Sequence, residues 1–472
     1  MNGERVAPIT GPWAERDVRE ALGLEVPRGV SLATFSGIST DSRSIAAGAL
    51  FVALTGERFD GHDHLAKAAA SGATGAIVRE GTPPVPGLTL YHVPDTLRAL
   101  GMLARARRRQ LEGPVIAVTG TNGKTSTKEM LAAVLRTRFI TYATRANLNN
   151  LVGVPLTILE APADTQALIV EAGANLPGEM ARYREIIEPS VTVVTNAVAG
   201  HLEGFGSLAG VVEEKLSLTQ DVPLAVVGSD PPELATGARA RAGRVRTAGL
   251  RGAELVPNSV SLDDSACPVV SIGGQTFVLA ARGLHQADNA IRVWAVAEEL
   301  GLDPDRTARA LELFSMPGGR GELVQEGSLT ILNDCYNANP QSFRAVIATS
   351  AALRGSRRLV FVAGTMRELG EDSSALHEEV AQALVQLQPD LLAVVGEFVP
   401  ALEPHAAALG QKLLRASDPL ALVPLLLPRL RGDELVVLKA SRGVALERIL
   451  PALTARAKNS AAPQHLSVPA ED

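Results

Sequence analysis

The sequence predicts an α/β protein of three domains, the central one built around a phosphate loop for nucleotide binding and the C-terminal one Rossmann-like. Three observations carry this. Short buried-strand runs alternate with helical patterns, as in sheets covered by helices. The glycine-rich run Gly120-Thr121-Asn122-Gly123-Lys124-Thr125 lies between one such strand and one such helix. The 472 residues exceed a single hydrophobic core and suit about three domains.

The first domain is placed at residues 1–110. It has apolar runs at Leu50 to Leu54 and Gly75 to Val78 and helical patterns at Leu65 to Ala70 and Leu97 to Leu111. The second helix carries Arg105, Arg107, Arg108 and Arg109, which read more readily as a solvated face than as a binding patch. The central domain, 111–317, opens with a strand at Pro114 to Val118, the glycine loop, and a helix from Ser126 to Arg138. Further strands are expected at Ala167 to Glu171, Val191 to Asn196, Pro223 to Val227, Val269 to Ile272 and Thr276 to Ala280. Helices follow at Asn289 to Leu300 and Pro304 to Phe314. Met316-Pro-Gly-Gly-Arg-Gly321 reads as a linker. The third domain, 318–457, alternates strands at Leu329 to Asn333, Leu359 to Ala363, Leu391 to Val395 and Leu435 to Leu438 with helices. Residues 458–472 are polar and Pro/Ala-rich and are expected to form a disordered tail.

Composition narrows the function. Lys and Arg total 45 against 51 Asp and Glu, a net charge of -6, which argues against a general nucleic-acid binder. Cys267 and Cys335 show neither metal-ligand spacing nor a disulfide framework, which suits a reducing compartment. The N-terminus lacks the order of a signal peptide, and no run of about 18 apolar residues appears. A soluble, cytoplasmic monomer with no membrane span is expected. Only seven residues are lysine, so a lysine in a motif is a candidate for chemistry that guanidinium cannot do.

In the phosphate loop, Gly120 and Gly123 let backbone amides approach phosphate oxygens, and the helix beginning near Ser126 points its positive end there. Lys124 suits the terminal phosphates, and the Thr125 hydroxyl suits Mg²⁺. The usual loop places its first glycine where Val118 stands; here Gly120 takes that part.

This loop, with Asn147-Leu-Asn149-Asn150, Glu171-Ala-Gly-Ala-Asn175, His201-Leu-Glu-Gly and Asp334-Cys-Tyr336-Asn337-Ala-Asn339-Pro340, resembles the Mur ligases. The likeness runs from about Ser36 to Glu447 and is nearest to the members that add D-alanyl-D-alanine to UDP-N-acetylmuramoyl-tripeptide. It implies ATP and Mg²⁺ as cofactors and an acyl phosphate that the dipeptide amine attacks. By resemblance, Lys124, His201 and Lys215 are catalytic, with Lys215 carbamylated. Thr125, Glu171, His201 and Lys215 are the implied metal ligands. Gly120 to Ser126, Asn289, Arg320 and Asp334 would hold the nucleotide. Ser39, Thr40, Asp41 and Arg43 would hold the UDP moiety, Asn147, Asn149 and Asn150 the muramoyl-peptide, and Tyr336 and Asn337 the nucleotide or the acceptor.

Plainer roles stand beside these. Glu171 could be a helix cap, His201 structural, Lys215 a surface lysine, Asn289 an N-terminal cap and Lys439 a strand-end salt bridge. Ala363-Gly364-Thr365-Met366 lacks the family's usual acid. Two other functions remain: a ligase adding the third amino acid, and a phosphate-loop switch that makes no bonds. Tyr336-Asn337-Ala-Asn339 argues against the first, and the second-metal residues Glu171, His201 and Lys215 argue against the second.

Overall fold

A computed structural model describes residues 9–461 except 30–31, 57–58 and 201. The first sheet contains β1 (Ile9–Ala14), β2 (Thr34–Ser39) and β3 (Leu50–Val52). A small hairpin of β4 (Thr55–Gly56) and β5 (Phe59–Asp60) precedes its last strands, β6 (Gly75–Arg79) and β7 (Thr89–Val93). Its order is β1-β2-β3-β6-β7, with β1 alone antiparallel.

The second sheet is parallel throughout. It contains β8 (Val115–Thr119), β9 (Thr141–Ala143), β10 (Ala167–Glu171), β11 (Val191–Val194), β12 (Leu224–Val227) and β13 (Arg244–Thr247), in the order β13-β12-β11-β8-β10-β9. Every residue of β8 and β10 is buried. Helices cover both faces, so these strands read as unbroken apolar runs rather than alternations. Each buried Val or Ile contributes about 1.5–3 kcal/mol. An antiparallel sheet of β14 (Ser259–Leu262), β15 (Pro268–Ile272) and β16 (Gln275–Val278) adjoins this unit.

The third large sheet contains β17 (Glu322–Glu326), β18 (Leu329–Asp334), β19 (Leu359–Ala363), β20 (Leu391–Val395), β21 (Leu413–Ala416) and β22 (Leu435–Lys439). Its order is β17-β18-β22-β19-β20-β21, with only β17 antiparallel. Apolar clusters pack on both of its faces. The architecture is thus the expected set of α/β units. The final helix, Leu450–Ala461, runs past Lys458, where the tail was expected to begin; residues 462–472 lie outside the described set.

The arginine run differs from its expected role. The helix Thr96–Arg108 is capped by Asp95, whose carboxylate accepts from the amides of Leu97 and Arg98. Its arginines do not form a merely solvated face. Arg105 and Arg109 both bond Glu188, each at 2.7 Å. Arg108 donates to the carbonyls of Ile187 and Glu188, and Arg107 to that of Ala161. Those oxygens include the otherwise unmet carbonyls at the end of the helix Glu179–Ile187. One apolar cluster also runs unbroken from Trp13 of the first sheet to Ala238 beyond the second. The first two units therefore share a core and a polar strap.

Candidate active site

The phosphate loop leaves the end of β8 and turns into the helix Lys124–Leu135. Gly120 and Gly123 have φ of 141° and 81°, a region that side-chain-bearing residues avoid. A Cβ on Gly120 would strike Thr195 Oγ1, and one on Gly123 would lie 2.5 Å from Asn289 Oδ1. The loop is tied to the end of β11. Thr121 N donates to Asn196 O at 3.0 Å, Asn122 N to Asn196 Oδ1 at 2.9 Å, and Thr195 Oγ1 to Asn122 O at 2.5 Å.

Lys124 Nζ folds back to donate to the carbonyls of Gly120 and Thr121 at 2.7 and 3.0 Å. Enclosure lowers its pKa, as does the nearby Arg320, while Glu171 pulls the other way. Such a cation gains when a phosphate replaces the neutral carbonyls.

Glu171 ends β10 and is 2% exposed. Its Oε1 accepts from Thr125 Oγ1 at 3.2 Å and from Asn149 Nδ2 at 2.8 Å, whereas its Oε2 is buried without a partner. A buried, unmet carboxylate oxygen beside a threonine hydroxyl is a hard-oxygen donor set of the kind Mg²⁺ takes. The residue is a buried strand-end carboxylate, not a helix cap.

Lys215 lies on the helix Leu208–Ser217 and is 1% exposed, so it is not a surface lysine. Among the described residues its Nζ donates only to Ala174 O, at 3.4 Å, and lies 5.3 Å from the centre of the Phe205 ring. Burial lowers its pKa to about 7, assisted by repulsion from Lys124 and opposed by Glu214 and Glu179. The adjacent Glu214 is occupied with the amides of Gly178 and Met180. His201 lies outside the described residues, and among those described no group of three His, Cys, Asp or Glu side chains could hold a metal.

Asn289 departs from its expected place at a helix start. The helix begins at Leu284, so Asn289 is in its second turn, buried, against Gly123 and near Gln286 at 3.3 Å. An N-terminal cap role is thereby removed. Exposed Leu284 and His285 hide the first turn from an apolar-period reading.

The third unit brings its strand ends to the same place. Asp334 closes β18 and pairs with Lys439, the buried last residue of β22, at 2.7 Å. Lys439 Nζ also donates to Asn337 O at 2.5 Å. Arg320 stacks on Tyr336, its guanidinium carbon 3.7 Å from the ring centre. Across the boundary, the amides of Asn122 and Asn339 pair reciprocally, at 2.7 and 3.1 Å, and Asn122 Nδ2 also donates to Gln341 Oε1 at 2.8 Å. Asn339 caps the helix Pro340–Arg354 at the same time. The sequence signal for this was an Asn-Pro helix start, which marks a cap but names no distant partner.

One cleft of about 250 Å³ gathers Thr121 to Ser126, Asn149, Asn150 and Glu171 with Arg320, Asp334, Tyr336 and Asn337. Sequence reasoning passed over Asn175, His285 and Ser342, and left Lys439 undecided; these line it too. Asn147 is exposed and does not line it. Ser39, Thr40, Asp41 and Arg43 also lie elsewhere, on a turn at the end of β2 where Arg43 forks onto Asp41 at 2.7 and 2.8 Å.

Comparisons with known proteins agree over most of the chain. Residues 118–297 match the Mur ligase middle domain, residues 319–442 the Mur ligase glutamate ligase domain, and residues 34–108 the Mur ligase family catalytic domain. The UDP-N-acetylmuramoyl-tripeptide–D-alanyl-D-alanine ligase of Bacillus subtilis is 32% identical, over 88% of this chain and 92% of the relative. The Escherichia coli protein of the same name is 33% identical, over 89% and 94%. Crystal structure I of MurF from Acinetobacter baumannii superposes with a TM-score of 0.85 at 29% identity, covering 94% of this chain and 99% of that one. The Thermotoga maritima MurF ligase in complex with ADP gives 0.80 at 28% identity, covering 90% and 98%.

Proposed function

The chain belongs to the Mur ligase family, and from that membership and its cleft we infer that it is an ATP-dependent amide ligase of peptidoglycan precursor synthesis, joining D-alanyl-D-alanine to UDP-N-acetylmuramoyl-tripeptide. This makes it an enzyme of cell-wall biogenesis, on which cell shape and division depend. One observation carries the reading: a phosphate loop with a poised lysine shares a single cleft with the strand-end residues of the third unit. A nucleotide switch needs no second unit over its terminal phosphate, whereas a ligase must seat an acid and an amine there.

A carboxylate is a poor electrophile, and a mixed anhydride with phosphate is a good one. ATP phosphorylates the terminal carboxylate of the tripeptide, the dipeptide amine attacks the acyl carbon, and phosphate leaves from the tetrahedral intermediate. Lys124 and the loop amides offset the charge that gathers on the phosphates. Thr121, Asn122, Gly123, Thr125 and Ser126 complete the cradle with Gly120. Asn289 orients the adenine side, and Arg320 and Asp334 come from the third unit. Closure of that unit excludes water while the anhydride exists.

Thr125 and the unmet Oε2 of Glu171 would hold Mg²⁺, with His201 and a carbamylated Lys215 completing a second position. When bound, the metal supplies Lewis-acid neutralisation of phosphate oxygens. A buried amine with a pKa of about 7 is substantially neutral at physiological pH, which capture of carbon dioxide requires.

The reading gives residues 1–110 the UDP moiety, held by Ser39, Thr40, Asp41 and Arg43. Residues 111–317 hold ATP, and residues 318–457 close over the site. Asn147, Asn149 and Asn150 border the muramoyl-peptide, and Tyr336 and Asn337 the nucleotide or acceptor. The use of nucleotide-linked substrates supports a cytoplasmic location, and the reading takes the protein to act as a monomer. No helix among the described residues is long and apolar enough to cross a membrane.

The test is a mass-spectrometric product assay with matched UDP-di- and tripeptides, offering D-alanyl-D-alanine and single amino acids. A pentapeptide product formed only from tripeptide and dipeptide is expected. Extension of the UDP-dipeptide by one amino acid would overturn the substrate assignment, and no phosphate release with any pair would overturn the ligase reading.

A further inference from the structure

The helix that follows the phosphate loop, Lys124–Leu135, buries a second lysine one turn beyond the first. Lys128 is 2% exposed, in a chain with only seven lysines. Taking an ammonium out of water is costly unless partners replace its lost hydration. Glu129, which is itself partly exposed, pairs with it. The inward partner is a backbone group: Lys128 Nζ donates to Thr144 O at 2.8 Å. Lys128 lines no part of the cleft.

Thr144 follows β9 and is buried. It is bonded to β10 at two points. Its amide donates to Ile169 O at 3.0 Å, and its hydroxyl accepts from Glu171 N at 2.9 Å. The Glu171 carboxylate in turn accepts from Thr125 Oγ1 and from Asn149 Nδ2, and Asn149 stands five residues beyond Thr144 on the same loop. These contacts close a ring. Thr125 and Lys128 are three residues apart on one helix, hence on one face. Lys128 grips Thr144, Thr144 grips the backbone of Glu171, and Thr125 grips its carboxylate. The helix and the ends of β9 and β10 cannot shift separately without breaking a member. The ring leaves Glu171 Oε2 buried and without a partner. Mg²⁺ demands near-ideal geometry from its ligands, so a small displacement of that oxygen would weaken its hold.

We propose that Lys128 is a positioning residue for the metal side of the nucleotide site: through Thr144 it fixes the backbone of Glu171 and so aims Oε2. The inference rests on the assignment of Glu171 to Mg²⁺ given above, and adds to it a residue that meets neither the nucleotide nor the metal. An outer partner of this kind orients a ligand without donating to the metal itself.

The test separates metal-dependent from metal-independent binding. ATP is titrated calorimetrically into the full-length protein, once in excess Mg²⁺ and once in excess EDTA, with no peptide substrate present so that nothing turns over. Wild type is compared with Lys128→Met, Lys128→Gln, Thr144→Val and Thr144→Ser. Methionine matches the length of lysine without a donor, and glutamine keeps a polar group beside Glu129 but is shorter. Valine keeps the shape of threonine without the hydroxyl, which serine retains. Loss of an outer partner of a metal ligand weakens metal affinity about 10- to 100-fold. ATP affinity in Mg²⁺ is therefore expected to fall about 10-fold in both Lys128 variants and in Thr144→Val. In EDTA it should stay within about twofold, because Lys124 and the loop amides are untouched. Thr144→Ser should behave as wild type. The double variant Lys128→Met/Thr144→Val should lose no more than the larger single loss, since both changes act on one oxygen. The EDTA titration also checks that each variant folds its nucleotide site, and Lys128→Gln stands in for Lys128→Met should the latter not fold. Equal losses with and without Mg²⁺ would make Lys128 a packing residue. An unchanged Mg²⁺ titration would make it idle, and losses that multiply in the double variant would separate it from Thr144. Each of these overturns the proposal. If Mg²⁺ adds nothing to ATP affinity in wild type, the metal assignment of Glu171 fails, and this inference falls with it.

Discussion

Lys124 spends its hydrogen bonds on two carbonyls of its own loop, an arrangement that keeps the amine aimed where phosphate oxygens would lie. Lys124→Ala is expected to lower phosphate release by at least about 10²-fold, the usual effect of removing one preorganised donor, with little change in unfolding temperature. Near-normal turnover would remove the loop from the mechanism. Lys215 gives a second expectation. Its amine titrates near 10.5 when unfolded and at about 7 in the fold. Between those values the unfolded chain holds more protons, so stability rises with pH. The destabilisation is complete below about pH 7 and absent above about 10.5. Lys215→Met, which carries no proton, should be more stable than wild type, most at low pH, with the gap closing toward pH 10.5. Urea midpoints in carbon-dioxide-free buffer measure this, and a constant gap would contradict it. Glu171 and Thr125 could be located from a strand end and a motif. The burial that makes Lys215 unusual could not, because it depends on Phe205 and Ala174 closing around it.

Among elements, the phosphate loop shows why glycine is needed twice. Gly123→Ala would place a methyl 2.5 Å from Asn289 Oδ1 at a φ of 81°. Left-handed backbone alone costs about 1–2 kcal/mol, so a lower melting temperature and a weaker thermal shift on adding ATP are expected. An unchanged ATP shift would mean the loop tolerates the methyl. The strands that carry this loop were legible because β8, β10 and β11 are buried along their length. The short strands β9, β13 and β21 were not, since their partly exposed residues show no clear apolar run. The helix holding Asn289 was found but begun five residues late. Asn339 was visible as part of a motif, whereas its pairing with Asn122 was not, because the two are 217 residues apart. Asn339→Ala should therefore do two things at once: remove a cap worth about 1 kcal/mol and lower turnover. Asn122→Ala should lower turnover without uncapping the helix. If the double variant loses as much turnover as the two single losses combined, the pairing carries no coupling.

For the whole molecule, the arginine helix matters more than its surface position implied. Arg108→Ala would leave the carbonyls of Ile187 and Glu188 without their donor. Faster proteolysis in the segment 109–114 is expected, read by gel and mass spectrometry, and protection equal to wild type would show that the shared apolar core suffices. That core and strap were illegible in the sequence, since contacts between units obey no local period. They make the first two units a ruler of constant length. A nucleotide-linked peptide gripped at one end and reacted at the other must match the span, and a peptide one residue short misses by about 3.5 Å. Such a truncated substrate should still compete for binding yet collect no phosphate, so the protein would gauge how far assembly has progressed before committing ATP to it.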